Sequence, residues 1–422
     1  TRTGFRTAAA AGRAFPAARA AGDPARLRPS GDQGLFDLTP TEEQRLISET
    51  AAEFAADRLR PAAAEADANA CAPPRLLAAG AELGLVTIGV PEQLGGAATE
   101  RSEITSVLVI ERLGHGDAGL ALACLAPAAV GTALSRWGDA WQQATYLPAF
   151  VGDRPPAAAL AIQEPTPLFD PFRLRTTARR NGGGFVLDGV KSLVPRAADA
   201  ELFVVAADLE GRPVLLLVEP AGLTVEAEPA MGLRAAGLGR ILLDGVKLPA
   251  GALLGTADWA AGNGAAGSRA AGNGAADSRA ADSRAAGAFV ECVRLARLAW
   301  CALAVGTAQA VLDYVIPYVN QREAFGEPIS HRQAVAFTVA DMATETDGLR
   351  LVTYRAASRA AQGLPFGREV ALARRLCAER AMRVGSDGVQ LLGGHGYVKE
   401  HPVQRWYRDL RATGLMEGGL LA

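Results

Sequence analysis

Apolar residues along the chain change their period twice. Leu46, Ile47, Ala51, Phe54 and Leu59 recur at helical spacing. Further helical patterns run through Leu76–Leu83, Ile104–Leu113 and Ala118–Leu134, so residues 36–157 read as a helical unit. Thr39 as N-cap, Pro40 at the first helical position and Glu42 predict a capping box at its start. The runs then shorten to Ala158–Ile162, Phe185–Leu187, Leu202–Ala207, Val214–Val218, Leu223–Val225 and Ile241–Val246. Gly, Pro, Asp and Asn separate them, which predicts an antiparallel sheet or small barrel over residues 158–255. From Ala288 the helical period returns and continues to Val389, within a C-terminal helical unit spanning 288–422. Helices, strands and helices in that order make an α+β fold of three parts.

Two stretches stand outside this pattern. Residues 1–35 carry six arginines, and their first acidic residue is Asp23. Such a segment reads as a mitochondrial-type transit peptide or a disordered leader. The first places the protein in the mitochondrial matrix, the second in a bacterial cytoplasm. Residues 260–287 repeat AAGNGAAGSR, AAGNGAADSR and AADSR. That period is too short for a solenoid unit and holds no large apolar residue, so residues 256–287 are expected to form a flexible linker.

Composition excludes several classes. Lys and Arg total 43 against 45 Asp and Glu, and this balance supplies no global field for a nucleic-acid partner. Hydrophobic residues make up 49% of the chain, which rules out wholesale disorder. Five separated cysteines without a CxxC pair, and four histidines without an HxxxH pair, argue against a disulfide framework and a metal site. The uncharged run Ala118 to Ser135 is long enough to raise the membrane question. Its Ala, Gly and Pro127 point instead to a buried helix.

Three segments carry candidate chemistry. Gln390 to Tyr397 places Gly393, Gly394 and Gly396 directly after a helical run. Glycines there let backbone N–H groups approach a ligand, or simply end the helix. Met416-Glu417-Gly418-Gly419 sets a carboxylate on a glycine turn, which suits a general base or an exposed loop. Arg322 stands at a helix end with Gly326 just beyond and Gln333 further on, where an arginine can meet a pyrophosphate or merely face solvent.

In order and spacing these segments resemble the acyl-CoA dehydrogenases. Leu38 to Gln44, Glu82 to Leu85 and Val90 to Gly96 resemble that family's opening helices. Gln163-Glu164-Pro165 resembles the start of its flavin-side loop, and Met231 to Arg234 with Val246 to Pro249 the end of its β-domain. Arg322 to Gly326, Gln333, Gln390 to Tyr397, Pro402 to Asp409 and Glu417-Gly418 follow its C-terminal pattern. The resemblance implies a helical domain, a β-barrel-like domain and a four-helix bundle. It implies FAD, an acyl-CoA substrate, an electron-transfer flavoprotein as electron acceptor, and an oligomer, usually a homotetramer. Glu417 falls on the family's base. Arg322, Gln333 and Gln163 fall on FAD contacts of one subunit, and Gln390, Gly393 and Gly394 on contacts to a neighbour's FAD. Gly418 and Arg297 fall beside the thioester. Some relatives carry the base near Arg297, where this chain has Ala296.

The resemblance breaks in the middle domain. Thr166, Pro167, Leu168 and Phe169 stand where the family has Gly-Ala-Gly-Ser, and Leu193-Val194-Pro195 where it has Trp-Ile-Thr. Arg294 replaces an aspartate expected to contact the nucleotide of CoA. The family continues into a helix that packs over the site, whereas Ala422 stands five residues after Glu417. The retained motifs imply an FAD-dependent dehydrogenase. The departures imply the alternative, a flavin-poor structural partner in a hetero-oligomer. A flavin monooxygenase on the same fold is a third reading, disfavoured because it needs no glutamate at 417.

Overall fold

The computed structural model describes residues 39–96, 102–152, 154–256 and 274–418. The leader, the start at Phe36 and residues 257–273 of the repeat tract lie outside the described residues.

Helix α1, Glu42–Phe54, opens on a capping box two residues later than expected. Thr41 and Gln44 form it: Gln44 N–H donates to Thr41 Oγ1 at 3.2 Å, and Thr41 N–H to Gln44 Oε1 at 3.0 Å. This register puts Glu42 and Glu43 in the first turn, where the helix dipole favours them. Then follow α2 (Arg60–Asn69), α3 (Pro74–Glu82), α4 (Glu103–Gly116), α5 (Ala118–Trp137) and α6 (Ala140–Phe150). By length and composition α5 could cross a membrane, but most of it is buried inside the protein.

The middle sheet has strands β1 (Ala158–Ala161), β2 (Thr177–Asn181), β3 (Gly184–Val194), β4 (Leu202–Leu209), β5 (Arg212–Val218), β6 (Thr224–Ala227) and β7 (Gly239–Pro249). It is mixed, which corrects the antiparallel expectation. Both β1 and β2 run parallel to β4 on one edge, and β5 pairs with β4 on the other. β2 escapes the periodicity because only Ala178 within Thr-Ala-Arg-Arg-Asn is buried.

Helix α7 spans Gly274–Gln321, so the second half of the repeat tract is helix and not linker. Alanine is the best helix former, and its small side chain permits close packing. Ala285 and Ala288 are fully buried, and a Cβ on Gly255 would stand only 2.7 Å from Ala288 Cβ. Asp282 adds an ion pair to Arg180 of β2 at 2.6 Å. The C-terminal helices are α8 (Gln333–Ala361), α9 (Gly367–Leu376), α10 (Met382–Leu392) and α11 (Val403–Thr413). α4 and α7 cross so closely that a Cβ on Gly306 would lie 1.9 Å from Glu111 O.

Helix α11 ties the three parts together. Arg405 donates to Asp117, the N-cap of α5, at 3.0 Å. Arg408 holds Asp67 of α2 at 2.7 Å and the Met231 carbonyl at 2.7 Å. Asp409 accepts from Leu233 N–H at 2.6 Å. Burial pushes the Asp117 and Asp409 carboxyls up, Asp409 to about 7 with the Asp117 charge adding to the effect, while Arg405 pulls both down. Arg405→Met strands Asp117 in the interior and is expected to cost about 3–5 kcal/mol in urea denaturation. A loss below about 1 kcal/mol contradicts this account of the junction.

Candidate active site

A largely apolar cavity of about 220 Å³ lies where α4, α5, α7, the ends of β1 and β3, and the turn after α11 meet. A buried ion pair sets its sheet-side wall. Lys191 donates to Glu164 Oε1 at 2.9 Å and to the Ile162 carbonyl at 3.2 Å. Burial opposes the Glu164 charge, but Lys191 and the N–H groups of Arg175 and Thr176 hold its carboxyl below the usual range. Ser192 N–H donates to the Gln163 carbonyl at 3.0 Å, which places Gln163 and Ser192 side by side on the wall.

Glu417 closes the opposite side. It is 6% exposed, and its Oε2 is buried without a partner. Burial pushes its carboxyl up to about 7, against the opposing effects of Arg374, a hydrogen bond from the Trp300 indole, and Arg297. Its φ of 49° is left-handed, a conformation that costs a non-glycine residue of order 1–3 kcal/mol and needs surrounding contacts to hold it. Two arginines supply them. Arg297 donates through Nε and Nη2 to the Glu417 carbonyl at 3.0 and 2.8 Å. Arg374, buried on α9, donates to the carbonyls of Thr413 at 2.6 Å, Gly414 at 3.1 Å, Gly418 at 3.0 Å and Met416. Gly418 has φ 102°, and a Cβ there would meet Pro171 Cδ at 2.7 Å and Arg297 Nη2 at 2.8 Å. Its glycine is thus needed by the turn itself.

The structure sorts the other sequence candidates. Gln163 lines the cavity, and its Oε1 is buried without a partner. Ala296 also lines it and carries no carboxylate. Arg297 is engaged by the Glu417 carbonyl, where it holds the turn, and it is absent from the lining. Arg322, Gln333, Gln390, Gly393 and Gly394 are exposed on the C-terminal helices and none lines the cavity. Gly396 is buried, where a Cβ would strike the Val389 carbonyl at 2.3 Å.

Both departures in the middle domain are visible. None of Thr166 to Phe169 lines the cavity. Leu168 is 75% exposed at φ 54°, a backbone region a glycine enters freely, while Phe169 turns into the core. Leu193 and Pro195 do line the cavity. Leu193 has φ 53°, and its N–H is taken by Glu228 Oε2 at 2.7 Å. Burial opposes the Glu228 charge, but that N–H, Arg240 at 2.7 Å and Ser192 at 2.9 Å outweigh it and hold the carboxyl low. Pro195 has no N–H. Trp300 and Arg374 are absent from the sequence candidates. Each is one of many similar residues within a helical pattern, and no local signal marks it.

The N-terminal, middle and C-terminal domain models of acyl-CoA dehydrogenase match residues 41–153, 159–246 and 286–419. The chain belongs to the acyl-CoA dehydrogenase family. This family of oxidoreductases accounts for the order of helical, sheet and helical parts. The short-chain specific acyl-CoA dehydrogenase of Bos taurus mitochondria is 30% identical over 388 residues, covering 89% of this chain and 87% of that protein. The butyryl-CoA dehydrogenase structure from Megasphaera elsdenii superposes with a TM-score of 0.79 at 25% identity, covering 92% of this chain and 97% of that one. An FAD complex of PigA does so with a TM-score of 0.77 at 25% identity, covering 91% and 96%.

Proposed function

We propose that the protein removes hydrogens from the α and β carbons of an acyl-CoA thioester, with Glu417 as the base and FAD as the redox group. One observation carries this reading. Glu417 is a buried carboxylate with an unpartnered oxygen, pushed to about 7, among the residues that line a largely apolar cavity. An α-proton beside a thioester is weakly acidic, and a desolvated carboxylate titrating near neutrality is suited to take it.

The residues present fit a flavin. Gln163 lines this largely apolar cavity and its Oε1 is buried without a partner, which suits a flat ring with a donor edge. When bound, FAD supplies the acceptor for the hydride that leaves the β-carbon. The chain's own residues do the rest. Leu193 and Pro195 shape the wall, Gln163 offers an acceptor, and Glu417 takes and holds the proton. Arg297 and Arg374 keep the base in its turn. The exposed Arg322, Gln333, Gln390, Gly393 and Gly394 are assigned to the FAD phosphates and to a neighbouring subunit's FAD. Phe325, at 96% exposure, and Tyr397, at 79%, leave apolar surface near them for such a neighbour. An electron-transfer flavoprotein is assigned to reoxidation.

The Leu193–Pro195 wall favours a second reading, a flavin-poor partner subunit, because it offers the ring no free backbone donor at Leu193 and none at Pro195. The visible spectrum of the purified protein decides between the two. The dehydrogenase reading expects flavin absorbance after FAD is added, and bleaching by acyl-CoA under anaerobic conditions. A colourless protein that never binds FAD defeats it. Pro195→Thr restores a donor and is expected to tighten FAD about 3- to 10-fold by fluorescence titration. Unchanged or weaker binding overturns that account of the wall.

A further inference from the structure

Strand β3 bulges where it meets the cavity. Lys191 pairs with Ile241 and Val194 with Gly239, so Ser192 and Leu193 together oppose Arg240 alone on β7. Both bulge residues line the cavity, and so does Pro195 just beyond. Their donors are committed elsewhere. Ser192 N–H donates to the Gln163 carbonyl at 3.0 Å. The Ser192 hydroxyl donates to Glu228, 2.9 and 3.0 Å from its two oxygens, and Leu193 N–H donates to Glu228 Oε2 at 2.7 Å. Pro195 has no N–H. Glu228 directly follows β6, is absent from the lining and accepts a further hydrogen bond from Arg240 at 2.7 Å. One carboxylate behind the wall thus collects the hydroxyl and the N–H of the bulge. We propose that Glu228 is a positioning residue that holds these wall donors away from the cavity, and so sets how tightly the cavity takes a flat ligand with an acceptor edge. The inference rests on the reading of the cavity as the flavin site.

The chemistry of the carboxylate suits this role. An ionised glutamate only accepts, and its two oxygens serve the hydroxyl, the N–H and Arg240 at once. The Glu228 side chain is 11% exposed and that of Arg240 39%, so the pair reaches from the wall to solvent. Loss of Glu228 therefore leaves Arg240 a charge that water can reach. Leu193 keeps a left-handed φ of 53° with its N–H tied to Glu228, a conformation that needs such contacts to persist. Ser192 is 5% exposed. A donor released at so buried a position is costly to leave unpaired, and an acceptor brought by a ligand removes that cost. With Glu228 in place, the same ligand meets the buried, unpartnered Gln163 Oε1 and no uncommitted donor among Ser192, Leu193 and Pro195. The wall accepts hydrogen bonds and does not donate them.

The test uses the full chain, freed of flavin and titrated with FAD by fluorescence. Glu228→Ala is expected to bind FAD about 3- to 10-fold more tightly than the wild type, the gain of one released hydrogen bond. Glu228→Gln keeps the shape with one acceptor oxygen, and is expected to shift in the same direction. It carries the test if Glu228→Ala folds poorly. Ser192→Ala is expected to weaken FAD about threefold more in either Glu228 variant than in the wild type, because only there is the hydroxyl released to a ligand. That coupling separates the proposal from the loss of a negative charge, which tightens FAD with or without Ser192. Unchanged or looser binding in both Glu228 variants overturns the role of Glu228, and so does strict additivity with Ser192→Ala. In either case the flavin reading stands on the wild type's own binding. Failure of the wild type, both Glu228 variants and Pro195→Thr to bind FAD defeats the flavin reading itself, and the proposal with it.

Discussion

Glu417→Gln is expected to lower turnover by about 10³-fold, leave FAD binding intact and raise thermal stability at pH 8. The first effect follows from the lost base. The amide has nearly the same shape and no capacity to take a proton. The third follows from linkage. Burial lifts the folded carboxyl from an ordinary 4.5 to about 7. Between those values the folded state holds a proton that the unfolded chain has lost. Stability therefore falls as pH rises through that window, and the loss is complete above pH 7. Glutamine removes the penalty, as expected where activity and stability oppose each other. In the wild-type enzyme kcat rises with pH through about 7, because only the ionised form accepts a proton. Stopped assays across pH 5.5 to 9, with calorimetry at pH 5 and pH 8, check both effects. Residual activity above about a tenth of wild type, or a flat pH profile, removes Glu417 from the mechanism.

Arg374→Met is expected to be the most damaging change that touches no reacting atom. It strips donors from the four carbonyls of Thr413, Gly414, Met416 and Gly418. Buried carbonyls without partners cost about 1–3 kcal/mol each if water cannot reach them. Partial relaxation of the turn brings the expected total to about 3–5 kcal/mol in urea denaturation. The left-handed Glu417 then loses its support, and a displacement of about 1 Å lowers kcat about 10²-fold. Arg374→Lys should rescue little, since one ammonium cannot reproduce a planar fork spanning four acceptors. Near-normal stability and kcat in both variants contradict the clamp.

Much of this was legible in the residues. Helical spacing at Ala118–Leu134 and Ile104–Leu113, and the short runs from Ala158 to Val246, foretell the three parts because amphipathic period is a local property. The strand Thr177–Asn181 was hidden because its side chains are mostly in solvent and leave no alternation to read. Residues 274–287 misled because a repetitive alanine-rich tract is compatible with both linker and helix. Packing of Ala285 and Ala288 against Gly255, just beyond β7, selects the helix. The site divides in the same way. Glu417-Gly418, Gln163 and the altered 193–195 wall are visible as motifs, whereas the hydrogen bonds from Arg297 to the Glu417 carbonyl are not.

By itself, then, the sequence determined the family's order of parts, the carboxylate at 417, its glycine neighbour and the loss of a donor at Pro195. All of these depend on residue type at a position or on spacing within a few residues. Only the tertiary structure decided that the carboxylate is desolvated, that Arg297, 120 residues away, holds its carbonyl, that Arg374 cages its turn, and that Trp300 stands beside it. Desolvation and hydrogen-bond partnership depend on which distant segments share one cavity, and no local spacing along the chain encodes that.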